Sequence, residues 1–566
     1  MAENKKEIGY IVSGGLKESF SARLTVPANE VQEGAFVTIE DGDWLFYGLA
    51  TDLQLGATDP RFADEQSEKR FPPQLANALH GQTLYTNLEV LPALMLERGP
   101  EPGSPAYADW LKKIGDNTPH PIPVKTVPRH HSEVRLANEG DIAEIFGKPD
   151  EDGNFVIGYT REQGHPVCVN LDKFVQRSSG VFGATGTGKS FLTRLMLAGL
   201  MQRGQASVLV LDMHNEYGFD DIASDTKNAV TGLKTKFKSR VNVVGLGGGA
   251  TIRGQVPDFN LEIAMSDIST SDIRLLTRTL DLTETTPTTL DALVHSFKGE
   301  WFKQFSLMLN GKMIEVEDEK TGKAKKVPHP DSVAAWAIEN GVNVMAAEAL
   351  HSKLGQVFRK PYIVEKPAAD SVAQIIHALE GGRHVILSFG ENESDLDYLL
   401  VSNLLTRKIR NAWEKKTNEF RTHGKAEPRP LIIVVEEAHK LLNREMAAQT
   451  TFATIARELR KYYVTLLIVD QRPSQIYDEV MSQLGTRISG WLGDEDDIHA
   501  VLSGLAGREA LRGMLARLQP KEEVLLLGWG VPMPLPVRSR RYDEKFWKEL
   551  LGKSKSEAQS LKELGF

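Results

Sequence analysis

Two hydrophobic rhythms divide the chain. Up to about residue 150, apolar positions come in short runs or alternate with polar ones: E-I-G-Y-I-V-S from Glu7, F-S-A-R-L-T-V from Phe20, A-F-V-T-I-E from Ala35 and W-L-F-Y-G-L-A from Trp44. Alternation and β-branched residues over such spans predict strands. Asp41-Gly42, between the last two runs, is a strong hairpin signal. Several short strands punctuated by Gly and Pro predict a small β-barrel with its linker over 1–150. Polar, Pro-containing stretches at 57–73 and 99–128 are expected to be loops or connections.

From about residue 155, strand-like runs alternate with helical ones, the pattern of a parallel α/β sheet. Strands are predicted at 180–182, 207–212, 241–246, 384–389, 431–436, 464–470 and 523–527. Most are continuously apolar, which means burial on both faces. The alternation breaks between 267 and about 379, where 271–282, 290–302 and 331–358 read as helices. This predicts a helical bundle inserted in the sheet domain. Within it, 311–330 carries Lys312, Lys320, Lys323, Lys325 and Lys326. A solvated flexible loop is the favoured expectation, and a nucleic-acid contact the sharper alternative. The expected division is therefore 1–150 (barrel and linker), 151–267 and 381–540 (two parts of the α/β core), 268–380 (inserted bundle) and 541–566 (C-terminal arm or tail). Residues 554–566 are expected to be frayed or weakly helical.

Composition narrows the class without naming a chemistry. Of 566 residues, 41% are hydrophobic and 25% charged, the balance of a soluble globular protein. No apolar run approaches the roughly 18 residues that a membrane span needs, and M-A-E-N-K-K-E is no signal peptide, so a cytoplasmic protein without membrane contact is expected. The single cysteine, Cys168, rules out an intramolecular disulfide or a multi-Cys zinc site and reads as a small buried hydrophobe. The formal net charge of −9 does not advertise a polyanion binder. It does not exclude one, since basic residues are needed only where a phosphate backbone passes.

The chemistry lies in segments about 250 residues apart. G-A-T-G-T-G-K-S, Gly183 to Ser190, follows Val181-Phe182 and precedes an apolar-periodic run through Leu192, Leu195, Met196 and Leu200. Gly183, Thr185, Gly186, Thr187 and Gly188 let successive backbone N–H groups close around phosphate oxygens at a helix N-terminus. Lys189 is expected to reach the β- and γ-phosphates of ATP, and the Ser190 hydroxyl to ligate Mg²⁺. L-I-I-V-V-E-E-A-H, Leu431 to His439, is a buried strand ending in two carboxylates. Glu436 is expected to hold a Mg²⁺-bound water, and Glu437 to polarise the attacking water. Y-V-T-L-L-I-V-D-Q-R-P-S places Gln471 at a third strand end, where an amide can read the γ-phosphate; Arg472-Pro473 could equally mark only a turn. Arg457, Arg460 and Arg177 are candidate guanidinium donors, each with a plain alternative as a surface arginine. Gly245 to Gly249 lacks a dinucleotide-binding context and reads as a loop, and His130-His131 as a polar linker.

Together with V-L-D-M-H-N-E-Y-G (Val210 to Gly218), A-R-E-L-R-K-Y and L-L-G-W-G-V-P-M-P-L-P-V-R (Leu526 to Arg538), these motifs resemble the HerA–FtsK superfamily of ring-forming DNA translocases, and its HerA branch most closely. The resemblance implies a RecA-like P-loop ATPase core with an N-terminal small barrel and an inserted helical bundle. It implies Lys189 and Ser190 at phosphate and Mg²⁺, Glu437 as catalytic glutamate and Gln471 as sensor. Arg177 and one or both of Arg457 and Arg460 would contact nucleotide. It further implies a hexameric ring acting on double-stranded DNA as an ATP-dependent translocase or helicase. Such a ring would work with a NurA-like nuclease or sirtuin-like effector, in DNA end resection or anti-phage defence. The alternative is an ATP-regulated ring scaffold that assembles and activates an effector without processive movement. Two positions depart from the common pattern: Glu436 stands where many ATPases have Asp, and Asp470 where a small residue is common.

Overall fold

The computed structural model describes residues 6–16, 19–58, 84–100, 104–115, 119–222, 227–317, 324–447 and 450–552, except for the side chains of 453 and 457–459. The alternating N-terminal runs form the strands Glu7–Gly14, Phe20–Leu24, Phe36–Asp41 and Trp44–Ala57. Two further strands, Leu84–Glu97 and Glu133–Leu136, complete a closed six-stranded barrel, because Phe20–Leu24 pairs with both Glu7–Gly14 and Leu84–Glu97. Its interior is a separate hydrophobic cluster containing Ile8, Phe20, Val37, Phe46, Leu88 and Val134. Arg161 fastens the barrel to the core, its guanidinium donating to the Glu33 carbonyl at 3.0 Å and to Glu523 at 2.8 Å.

The core is a twelve-stranded mixed sheet. Eight strands run parallel in the order Phe259–Leu261, Val241–Leu246, His384–Ser388, Ser207–Asp212, Leu431–Glu436, Val464–Asp470, Ser179–Phe182 and Thr486–Ser489. An antiparallel extension follows, through Glu523–Gly528, Leu535–Ser539, Asn154–Thr160 and Pro166–Asn170. The central strands are buried along their whole length, as continuous apolar runs require. Cys168 is buried, as expected.

Several expectations need correction. The 99–128 stretch is not all loop: Ser104 caps the helix Pro105–Ile114 by accepting from the Tyr107 N–H. The 271–282 segment is helical only over Thr270–Arg274 and continues as hydrogen-bonded turns. There the Thr277 hydroxyl donates to the Arg274 carbonyl at 2.6 Å, one of the local bonds by which such residues compete with a helix. The 331–358 segment is two helices, Val333–Glu339 and Val344–Phe358. Gly341 turns the chain at φ 67° and Asn343 caps the second helix. The described parts of the lysine-rich 311–330 stretch include a two-stranded ribbon, Met313–Glu317 against Ala324–Pro328, in place of the expected loop. Ile314 faces Val327 across it and Glu315 faces Lys326, apolar and opposite-charge pairs that both favour pairing. Lys320 and Lys323 lie outside the described residues, as does the expected 554–566 tail. Before that tail, Glu544–Gly552 forms a helix whose Phe546 and Trp547 are buried, with Phe546 packing edge-on to Phe155.

Candidate active site

Parallel pairing brings four strand ends to one edge. Phe182 lies opposite Asp470, and Glu436 opposite Val469. Leu211 lies opposite Val435, which sets Asp212 beside Glu436. The carboxyl edge of such a sheet is where ligands bind in open α/β folds.

The glycine-rich loop leaves Ser179–Phe182 here and enters the helix Lys189–Arg203. Gly188 caps that helix at φ 89°, a conformation that disfavours any side chain. The Thr187 hydroxyl donates back to the Ala184 carbonyl at 2.7 Å, and the Lys521 N–H donates to the Thr187 carbonyl at 3.0 Å. The turn is thus held from within and from a neighbouring loop. Lys189 and Ser190 occupy the first helical turn, both partly accessible.

Three expected site residues form a continuous chain. The Thr185 hydroxyl donates to Gln471 Oε1 at 2.7 Å, and Gln471 Nε2 donates to Glu437 Oε2 at 3.2 Å. Glu437 sits just beyond its strand with φ 44°, a backbone conformation that costs a non-glycine residue energy and is often found at functional sites. Next to it, His439 Nδ1 lies 3.0 Å from Asp470 Oδ2 and 3.7 Å from Glu437 Oε2.

Glu436 points into the protein. Its Oε1 accepts from the Tyr217 hydroxyl at 2.5 Å, and its backbone carbonyl accepts from the Tyr398 hydroxyl at 2.6 Å. Its other carboxylate oxygen is buried with no hydrogen-bond partner. Burial, with the negative charges of Asp212 and Glu216, lifts the Glu436 carboxyl well above the usual range, while Tyr217 and Lys189 pull it the other way. Burial also raises Asp212, to about 6, although its carboxylate accepts from the Glu216 and Tyr217 N–H groups at 2.8 and 3.0 Å. A crowd of carboxylates with two orphaned oxygens, Glu436 Oε2 and Glu216 Oε2, suits a divalent cation nearby. Among the described residues there is no cluster of three or more His, Cys, Asp or Glu side chains able to hold a metal. The donor set therefore fits Mg²⁺ held by few protein groups together with phosphates, rather than by an all-protein cage.

Arg177 and Arg460 are not brought to this edge. Arg177 precedes the amino end of Ser179–Phe182, and Arg460 lies in the turn Leu459–Tyr462 before the amino end of Val464–Asp470. At about 3.3 Å per strand residue, four to seven residues put both some 13–23 Å from the phosphate loop of their own chain. Arg460 is exposed. The Arg177 guanidinium lies 4.3 Å above the ring of the half-exposed Trp529. The Arg457 side chain lies outside the described ones.

The residues that surround Glu436 and Glu437 are not among the expected site residues. Asp212 and Tyr217 fall within V-L-D-M-H-N-E-Y-G, and Asp470 was noted only as a departure. One signal was available: three apolar runs, ending at Asp212, Glu436 and Asp470, each stop on an acid.

Residues 155–409 match the family profile described as "Helicase HerA, central domain". The chain is 24% identical over 469 residues to the DNA double-strand break repair helicase HerA of Pyrococcus furiosus, covering 78% of each protein. It is 24% identical over 549 residues to the protein of the same name from Sulfurisphaera tokodaii, covering 95% of this chain and 94% of that one. Among solved structures, the bacterial conjugative coupling protein TrwB aligns with a TM-score of 0.46 and 13% identity, over 74% of this chain and 95% of that one. The chain is thus similar to the HerA helicases along most of its length, and the edge that gathers its phosphate loop, buried acids and joined glutamate–glutamine pair is that of a P-loop ATPase.

Proposed function

We propose that this protein is the subunit of a hexameric, ATP-driven motor that moves on double-stranded DNA and works with an effector protein such as a nuclease. The single observation that carries the hydrolytic part is the Thr185–Gln471–Glu437 chain, which ties the phosphate loop to a carboxylate on the neighbouring strand end. In this reading the loop N–H groups and Lys189 bind the triphosphate. Glu437 orients the attacking water and takes its proton, and Gln471 reports the γ-phosphate to Glu437. Ser190 and Glu436 would hold Mg²⁺, which supplies charge neutralisation on the phosphates.

What supports a ring is where the described candidate arginines stand. Developing charge on the transferred phosphoryl group calls for a guanidinium. The described candidates, Arg177 and Arg460, stand at the far edge of their own sheet, so a second copy would have to present them. Duplex DNA as the track rests on the names of the HerA relatives, DNA repair helicases, and on the match to their central domain. No helix among the described residues is long and apolar enough to cross a membrane. The test is steady-state ATP hydrolysis with and without duplex DNA. Stimulation by duplex is expected, and hydrolysis indifferent to duplex together with no duplex binding would sink the motor reading.

A further inference from the structure

The buried carboxylate of Asp470 has no part in the proposed chemistry, yet it holds both turns that carry the chemistry. It is fully buried at the end of its strand. One oxygen accepts the His439 backbone N–H at 2.7 Å, and the other accepts the Arg472 backbone N–H at 2.7 Å. The His439 imidazole Nδ1 lies 3.0 and 3.2 Å from the same two oxygens. Glu437 is two residues before His439, and Gln471 is the residue before Arg472. Neither is held by regular secondary structure: one follows the end of Leu431–Glu436, the other the end of Val464–Asp470. Glu437 in addition has a left-handed backbone that must be imposed by its surroundings.

We propose that Asp470 and His439 are positioning residues that lock the turn of Glu437 against the turn of Gln471, so that γ-phosphate sensing and water activation move as one unit. One carboxylate satisfies a backbone donor from each turn. The imidazole then fills the space between Asp470 and Glu437, 3.0 Å from the first and 3.7 Å from the second. Asp470, Glu437 and Lys440 are the charged groups that face it. A shift of about 1 Å in a reacting group can cost on the order of 100-fold in rate. A clamp of this kind acts on turnover far more than on nucleotide affinity, because the phosphate loop meets it only through the Thr185–Gln471 hydrogen bond and is otherwise held by the Thr187–Ala184 and Lys521–Thr187 bonds.

This inference rests on the reading of Glu437 as the hydrolytic residue, and the experiment separates the two. Asp470→Asn, His439→Gln and Glu437→Gln are made in the full chain. ATP affinity, single-turnover hydrolysis and thermal midpoint are measured, alone and in Glu437→Gln double variants. Asp470→Asn and His439→Gln are each expected to slow hydrolysis roughly 10- to 100-fold, with ATP affinity within about twofold. Neither should slow the residual rate of Glu437→Gln any further, since they act through that carboxylate. His439→Gln alters a partly accessible side chain and serves as the decisive variant should Asp470→Asn fail to fold. Unchanged hydrolysis in His439→Gln, or equal losses with and without the Glu437 carboxylate, would overturn the clamp. Full hydrolysis in Glu437→Gln would instead overturn the reading on which it rests.

Discussion

At the scale of single residues, the site is governed by how its carboxylates are paired. Glu436 and Asp212 are buried side by side with their carboxyls raised, whereas Asp470 is held below the ordinary range. Burial pushes Asp470 up, but the His439 ring and two backbone N–H groups outweigh it. His439 is raised, first by its bond to Asp470 and against the pull of burial. A group raised in the folded state stabilises fully below its unfolded value, near 6.5 for histidine, and loses that contribution as pH climbs through the folded value. The stability of the wild type over His439→Gln should therefore shrink as pH rises from about 6 to about 9. Urea midpoints across that range check it, and a constant difference would show that the fold does not raise the His439 ring.

At the scale of elements, the strands were far more legible than the helices. The runs at 207–212, 241–246, 431–436 and 464–470 coincide with the observed strands, because residues buried on both faces leave an unbroken apolar signature. Ile433, fully buried at the centre of this sheet, should accordingly cost about 2–5 kcal/mol on replacement by alanine. Thermal or urea denaturation measures this, and a loss under about 1 kcal/mol would show that the strand is not packed as described. Short or half-exposed elements carried weaker signals. The barrel strand Glu133–Leu136 is four residues long and finds its place only by pairing with two distant strands. The ribbon at 313–328 hid within a lysine-rich composition. At the site, the phosphate loop and Glu437 were legible from motif chemistry. The Asp470–His439 pair was not, since its partners lie 31 residues apart and meet only through parallel pairing.

At the scale of the whole molecule, the two sheet edges divide the labour. The carboxyl edge gathers the phosphate loop, Glu436, Glu437 and Gln471, and the amino edge carries Arg177 and Arg460. A ring that places the amino edge of one copy at the carboxyl edge of the next would complete each site with a neighbour's guanidinium. Arg177→Ala and Glu437→Gln should then each abolish most hydrolysis alone. Mixing the two inactive proteins under conditions that let subunits exchange should restore part of it, since some interfaces in mixed rings would pair an intact Glu437 with an intact Arg177. Absence of any recovery, with mixed rings verified by mass, would place Arg177 outside the neighbour's site.

The central claim is that the carboxyl edge hydrolyses ATP through Glu437. Its most direct test is single-turnover phosphate release from preloaded ATP, comparing the wild type with Glu437→Gln in the presence of duplex DNA. The account predicts that the variant keeps its bound ATP while phosphate release falls by roughly 100-fold or more. Phosphate release at the wild-type rate in Glu437→Gln would contradict it.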